Sequence, residues 1–128
     1  LSLLQENKIS KILICAKDLP RKFPNDFSYM NLELLDNDKQ MIKNLFDSSI
    51  EFIKTASTSA ENMILIHCKK GVSRSASIVI AYLIKEKNMT FEEGLEFLKT
   101  KRGCVRPNEN FVRQLKQYEN ENLKLNSN

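Results

Sequence analysis

The sequence predicts an α/β domain with a central, mainly parallel sheet flanked by helices and a run of helices at its C-terminal end. Three observations favour this class. Short apolar segments alternate with longer segments whose apolar residues recur with helical spacing. Two further helical segments then follow without a strand between them. The length of 128 residues fits one domain, since domains most often contain about 100–150 residues.

Three segments are predicted to be strands. Residues 11–16 (KILICA) form a short apolar run typical of a strand buried on both faces. Residues 29–35 (YMNLELL) are a second candidate, and residues 63–66 (MILI) are a third that ends at His67-Cys68. Because ligands bind at the carboxyl ends of the strands in such sheets, chemistry is expected in the segment after the third strand.

The two helices expected to pack on the sheet differ in character. Residues 39–56 carry a single apolar stripe, and Asp38 is the expected N-cap of this helix. Residues 75–87 (SASIVIAYLIKEK) are apolar on most sides, which indicates a central, buried helix.

The C-terminal run begins with a capping signal. Thr90 and Glu93 form a capping box for a helix that is expected to end at Gly103. Residues 107–108 (Pro-Asn) are expected to start the last helix. The buried face of that helix is predicted from the spacing of Phe111, Leu115 and Tyr118.

Composition excludes several classes of protein. Apolar residues make up 41% and charged residues 28%, so the chain is not disordered, and a net charge of +4 is too mild to predict nucleic-acid binding. The three cysteines (Cys15, Cys68 and Cys104) form no C-x-x-C pair, and His67 is the sole histidine. This pattern argues against a zinc ribbon or a disulfide scaffold and for the reducing cytoplasm or nucleus. No apolar run approaches the roughly 20 residues that span a bilayer, and the oligomeric state is not indicated.

Residues 67–75 (HCKKGVSRS) lie between a buried strand and a helix start. A loop in this position directs successive backbone N–H groups into one concavity at the positive end of the helix dipole, which suits a tetrahedral oxyanion. Gly71 is free to take a positive φ. Arg74 follows Cys68 by six positions, so its planar guanidinium can close over the same anion.

Cys68 lies at the floor of this predicted cradle. The field that binds phosphate also favours thiolate over thiol, so we expect a lowered pKa for Cys68. A thiolate beneath a phosphoryl group can attack in line and form a cysteinyl-phosphate, which water then hydrolyses. Loop amides and Arg74 would hold the equatorial oxygens meanwhile. This chemistry requires no metal and no other cofactor.

The pattern H-C-x-x-G-x-S-R-S resembles the signature of cysteine-dependent protein tyrosine phosphatases, and its S-R-S ending resembles the dual-specificity branch. The sequence of residues 68–77 is similar to that of the slingshot-type members. The resemblance implies a protein tyrosine phosphatase-like fold. It extends beyond the loop to other matching segments, which are Phe23-Pro24, residues 27–29, the helix at residues 75–87, residues 106–108, Phe111 and Gln114-Leu115.

The resemblance also implies roles for individual residues. Cys68 is the implied nucleophile and Arg74 the phosphate clamp. Ser75 is the implied hydroxyl that assists breakdown of the thiophosphate. His67 orients the loop and helps to keep the pKa of the cysteine low. The residues that bind the substrate phosphate are those of the loop itself, namely Lys69, Lys70, Gly71, Val72, Ser73 and Arg74.

The leaving oxygen needs a proton from a general acid, and a carboxylic acid on a movable loop suits that task. The family places this aspartate just after a strand that begins with an aromatic residue, which corresponds to Asp36. The alternative is that Asp36 is a plain turn residue.

The resemblance further implies a catalytic domain over residues 1–121 that begins inside the family's first helix, lacks its first strand, and is followed by a polar tail at residues 122–128. It implies a shallow pocket open to phosphotyrosine, phosphoserine and phosphothreonine on proteins, in a signalling role.

Other functions stay open at this stage. Lys69 and Lys70 could favour phosphoinositides or RNA 5′ phosphates, or they could be rim charges that raise the local phosphate concentration. The domain could bind phosphate without hydrolysing it. It could also sense oxidants, since a thiolate of low pKa is prone to oxidation and Cys15 or Cys104 could serve as a resolving thiol.

Overall fold

The computed structural model describes residues 9–15, 28–32, 34–35, 37–56, 63–67, 73–101 and 105–126. These residues form a three-stranded sheet and four helices, so the prediction of an α/β domain with a C-terminal helical run is confirmed. No helix among these residues is long and apolar enough to cross a bilayer. In chain order the elements are β1 (Ile9–Ile14), β2 (Ser28–Asn31), α1 (Phe46–Ala56), β3 (Met63–His67), α2 (Arg74–Glu86), α3 (Phe91–Lys101) and α4 (Glu109–Asn126).

The sheet is parallel, with the strand order β2-β1-β3. Ile12 in the middle strand pairs with Tyr29 on one side and with Leu65 on the other. Because all three strands run the same way, their carboxyl ends meet at one edge. The chain leaves that edge after Asn31 in β2 and after His67 in β3, so the segments that follow both strands start at the same edge.

Strand β2 is shorter than the sequence predicts. It ends at Asn31, whereas the apolar pattern predicts a strand over residues 29–35. The backbone N–H of Leu34 donates to the carbonyl of Leu32 at 2.8 Å, which is the hydrogen bond of a tight turn and not of a sheet. Both leucines are nevertheless buried, and this burial explains why the segment has the apolar pattern of a strand.

The first helix begins later than predicted. Helix α1 starts at Phe46 after a single 3-10 turn at Lys43–Leu45, whereas the pattern predicts a helix from residue 39. Asn37 Oδ1 accepts the backbone N–H groups two and three residues later, at 3.0 and 2.9 Å. Asn37 therefore makes an Asx turn here, and the interpretation of Asp38 as the N-cap is wrong.

The core lies where the helices cover the sheet. Helix α2 contacts α1, α3 and α4, and eight of its residues are buried, as predicted for a central helix. Cys15 is fully buried directly after β1, in agreement with a structural role there. The core consists of Leu13, Cys15, Leu32, Leu34, Ile42, Phe46, Ile50, Ile53, Ile78, Ile80, Ala81, Ile84, Phe91, Phe111, Leu115 and Tyr118.

The predicted capping box of α3 is present. The backbone N–H of Thr90 donates to Glu93 Oε1 at 2.9 Å, and the backbone N–H of Glu93 donates to Thr90 Oγ1 at 3.1 Å. These reciprocal bonds satisfy two donors that the first helical turn leaves open. Helix α3 extends to Lys101, and its predicted end at Gly103 lies outside the described residues.

Helix α4 also starts as predicted. Asn108 Oδ1 accepts the backbone N–H of Phe111 at 2.8 Å, which is N-cap geometry. The helix continues to Asn126 and thus includes residues 122–126 of the expected polar tail. Asn122 Nδ2 donates to the carbonyl of Ile84 at 3.2 Å, which ties this last part of α4 to the end of α2.

A polar contact joins α4 to α1. The ring of Tyr118 packs edge-on against Phe46 with 5.0 Å between centroids, and its hydroxyl donates to Asp47 Oδ1 at 2.7 Å. Lys85 Nζ donates to the same oxygen at 3.1 Å. These two hydrogen bonds lower the pKa of Asp47, and the bond from Tyr118 has the larger effect. Burial and the hydrogen bond to Asp47 raise the pKa of Tyr118.

We expect the Asp47→Asn variant to be less stable than the wild type near pH 7, by about 1 kcal/mol or less because Asp47 is largely exposed. The carboxylate's pKa is lowered by folding, so its contribution is present above the unfolded-state pKa of about 3.9 and is lost as the pH falls through the folded-state pKa. Urea unfolding at a series of acidic pH values should show that the free energies of unfolding of the two proteins converge as the pH falls. An Asp38→Asn control should have the same free energy of unfolding as the wild type at each pH. A difference between wild type and Asp47→Asn that stays constant down to about pH 3 would contradict this account of Asp47.

Candidate active site

The described residues on either side of the motif lie in the predicted strand and helix. Strand β3 ends at His67, and α2 begins at Arg74. The loop residues between them that carry the predicted nucleophile, namely Cys68, Lys69, Lys70, Gly71 and Val72, lie outside the described residues, as does Asp36. The site is therefore defined by the residues that flank these two segments.

Arg74 connects the start of α2 with the chain just before Asp36. Its side chain is half-buried, and its Nη1 donates to the backbone carbonyl of Leu34 at 3.1 Å. Leu34 is two residues before Asp36, and the two partners of this bond are 40 positions apart in sequence. The arginine of the C-x5-R pattern thus lies beside the segment that carries the predicted general acid.

Ser73, the last residue before α2, is buried and fixed on two sides. Its Oγ accepts the backbone N–H of Asn108 at 2.9 Å, so the segment before α4 supports the end of the loop. Its carbonyl accepts both the backbone N–H and the hydroxyl of Ser77, at 2.9 and 2.7 Å. Ser75, predicted to assist breakdown of the thiophosphate, is buried in the first turn of α2.

The electrostatics at the start of α2 suit an anion. The first turn of this 13-residue helix contains no acidic residue, so no carboxylate of that turn neutralises the positive end of its dipole. The first N–H groups of an α-helix have no acceptor within the helix, and helix N-termini bind phosphate in other proteins for this reason. The guanidinium of Arg74 adds a full positive charge at the same place.

Asn110 was not singled out by the sequence analysis, and Gln114 was named there only as part of the family resemblance, without a role. Asn110 and Gln114 are buried on α4 and bind the backbone of residues 37–43, the segment that follows Asp36. Their signal in the sequence is weak: two amides at i and i+4, each directly before an apolar core residue of the same helix.

The comparisons with known proteins agree with this geometry. Residues 1–121 match the model of the dual specificity phosphatase catalytic domain. The chain therefore belongs to the dual specificity phosphatase family, and the predicted family is confirmed.

Individual relatives point to the predicted branch as well. The chain is 38% identical to the protein phosphatase Slingshot of Drosophila melanogaster over 115 residues, which are 90% of this chain and 11% of the relative. It is 36% identical to dual specificity protein phosphatase 4 of Homo sapiens over 115 residues, or 90% of this chain and 29% of the relative. The chain thus spans less than a third of either relative, and the predicted similarity to slingshot-type members is confirmed.

Solved structures share the fold. The human tyrosine phosphatase-like serine/threonine/tyrosine-interacting protein superimposes with a TM-score of 0.89 and 32% identity, covering 96% of this chain and 84% of that one. DUSP15 superimposes with a TM-score of 0.84 and 27% identity, covering 98% and 83% respectively. The prediction of a protein tyrosine phosphatase-like fold is confirmed.

Proposed function

We propose that residues 1–121 form a catalytic domain that hydrolyses phosphate monoesters on proteins, both phosphotyrosine and phosphoserine or phosphothreonine, through a cysteinyl-phosphate. In the first step the sulfur of Cys68 bonds to phosphorus while the bond from phosphorus to the leaving oxygen breaks, and that oxygen takes a proton. In the second step water attacks phosphorus, the bond from sulfur to phosphorus breaks, and the thiolate and phosphate are released.

One observation carries this proposal: the hydrogen bond from Arg74 to the carbonyl of Leu34. It brings the start of α2, where the phosphate would be held, against the segment that leads to Asp36. A phosphoryl transfer site needs these two parts together, because the arginine holds the equatorial oxygens of the phosphoryl group while the acid protonates the leaving oxygen.

We assign the remaining roles on the same geometry. Asp36 is the proposed general acid, since it follows Leu34 by two residues. Ser75 is the proposed residue whose hydroxyl assists hydrolysis of the intermediate, and it is buried directly after Arg74 in the chain. His67, the last residue of β3, is proposed to orient the loop and to keep the pKa of Cys68 low.

The proposed phosphate site is the loop before α2, composed of Lys69, Lys70, Gly71, Val72, Ser73 and Arg74. The two lysines are proposed to raise the local concentration of phosphorylated protein at the site. We propose a signalling role in the cytoplasm or nucleus, where free cysteines stay reduced.

The substrate class can be tested with one panel. We expect the kcat/KM for phosphotyrosyl and phosphothreonyl peptides to exceed that for a soluble short-chain phosphoinositide by about tenfold or more. EDTA should leave all rates unchanged. The reverse preference would point to a phosphoinositide phosphatase. Peptide binding without any hydrolysis would point to a phosphate-binding module.

A further inference from the structure

Two buried amides of α4, Asn110 and Gln114, are bound to a segment far away in sequence. They are only 6% and 3% exposed and lie one helical turn apart. Their partners are backbone groups of residues 37–43, which form neither strand nor α-helix. We call this pair the amide clamp.

Gln114 uses its full hydrogen-bonding capacity. Its Oε1 accepts the backbone N–H groups of Ile42 and Lys43, at 2.8 and 2.9 Å. Its Nε2 donates to the carbonyl of Gln40 and to Asn110 Oδ1, both at 2.9 Å. Since a backbone N–H can only donate and a backbone carbonyl can only accept, these partners fix the orientation of the amide.

Asn110 is equally saturated. Its Nδ2 donates to the carbonyls of Asn37 and Gln40, at 3.2 and 2.7 Å. Its Oδ1 accepts from Gln114 Nε2 and from Arg113 Nη2, the latter at 2.8 Å. Because every donor and acceptor of the clamp has a partner, the segment has one strongly preferred position against α4.

The clamp holds the chain directly after the proposed acid, and other bonds hold the chain before it. The N–H of Leu35 donates to Gln40 Oε1 at 3.1 Å, and the carbonyl of Leu34 accepts from Arg74.

Asn108 connects the phosphate loop to the same segment. Its backbone N–H donates to Ser73 Oγ, and its Nδ2 donates to the carbonyl of Asn37 at 3.3 Å. The start of α4 therefore joins the phosphate loop to the segment after Asp36.

We propose that Asn110 and Gln114 are positioning residues for the general acid: they set the distance between the segment that carries Asp36 and the phosphate loop. The inference rests on the proposed role of Asp36. The amides touch no reacting atom, and they act through the backbone that continues from Asn37.

A misplaced acid has a specific kinetic signature. A displacement of about 1 Å can cost up to about 10²-fold in rate. The loss falls on substrates whose leaving group needs a proton, because a stable anion such as p-nitrophenolate departs without one. A purely structural defect would instead lower the rates for good and poor leaving groups by the same factor.

The experiment compares kcat/KM for phenyl phosphate and p-nitrophenyl phosphate. We expect Asn110→Ala to lose about 10- to 100-fold more with phenyl phosphate than with p-nitrophenyl phosphate. Should Asn110→Ala not fold, Asn110→Ser and Gln114→Met are measured and judged by the same criterion. Tyr118→Phe is the matched control, because it deletes one hydrogen bond of α4 at Asp47, outside the site, and should leave the ratio of the two rates unchanged.

Equal losses for the two substrates, or no loss, in a folded clamp variant would overturn the inference. Asp36→Asn separates this failure from that of the underlying function. If Asp36→Asn is selective for the poor leaving group while the clamp variants are not, the acid is assigned correctly and the clamp does not position it. If only the clamp variants are selective, the clamp positions an acid other than Asp36 and the proposed role of Asp36 fails.

Discussion

Replacing Cys68 with serine should reduce turnover of p-nitrophenyl phosphate by about 10⁴-fold or more. Serine keeps the size of the side chain but has an alcohol in place of the thiol. The field at the start of α2 can stabilise a thiolate near neutral pH, whereas an alcohol stays protonated there. The reaction therefore loses its nucleophile, and initial rates of p-nitrophenolate release measure the loss directly.

Cys15→Ser is a matched control for this change. It makes the same substitution at a fully buried residue directly after β1. We expect this variant to lose stability and to keep a kcat near that of the wild type when it is assayed below its unfolding temperature. Activity retained in Cys68→Ser would remove the nucleophile from the proposed mechanism.

Replacing Asp36 with alanine should lower turnover of phosphopeptides by about 10²–10⁴-fold. The leaving alkoxide or phenolate would then depart without a proton. Since the acid works only when protonated, the wild-type rate should fall as the pH rises above the pKa of the acid, and this basic limb of the pH–rate profile should vanish in Asp36→Ala. Steady-state kcat measured across the pH range tests both effects.

Asp38→Ala is the comparison variant for Asp36→Ala. Asp38 is exposed, and the backbone N–H groups that follow it are bound by Asn37, not by Asp38 as its predicted role of helix N-cap requires. We therefore expect Asp38→Ala to change stability by no more than about 0.5 kcal/mol and to retain the basic limb. A basic limb lost in Asp38→Ala and kept in Asp36→Ala would move the acid role to Asp38.

Local patterns were sufficient to predict much of this fold. Strand β3 and helix α2 were predicted within one residue, because a short apolar run and a mostly apolar helix leave few alternatives. The capping box at Thr90 and Glu93 was equally clear, since its two bonds form within four residues. The catalytic loop is likewise proposed from residues that lie close together in sequence.

The start of α1 could not be predicted in the same way. Gln114 binds the backbone N–H groups of Ile42 and Lys43 from 72 and 71 positions away, so these groups do not make the bonds to the preceding turn that an earlier α-helix start would need. The apolar stripe that predicts an earlier helix start instead reflects burial of Ile42 in the core. Such long-range bonds are not visible in a local pattern, and the same reason conceals the amide clamp.

The covalent intermediate is the central claim, and a denaturing quench tests it most directly. Wild-type protein and Ser75→Ala are mixed with p-nitrophenyl phosphate, quenched during turnover, and digested for mass spectrometry. The account predicts phosphate on the peptide that contains Cys68, in greater amount in Ser75→Ala because breakdown of the intermediate is slowed. Turnover with no phosphate on Cys68 in either protein, or with phosphate on another residue, would contradict it.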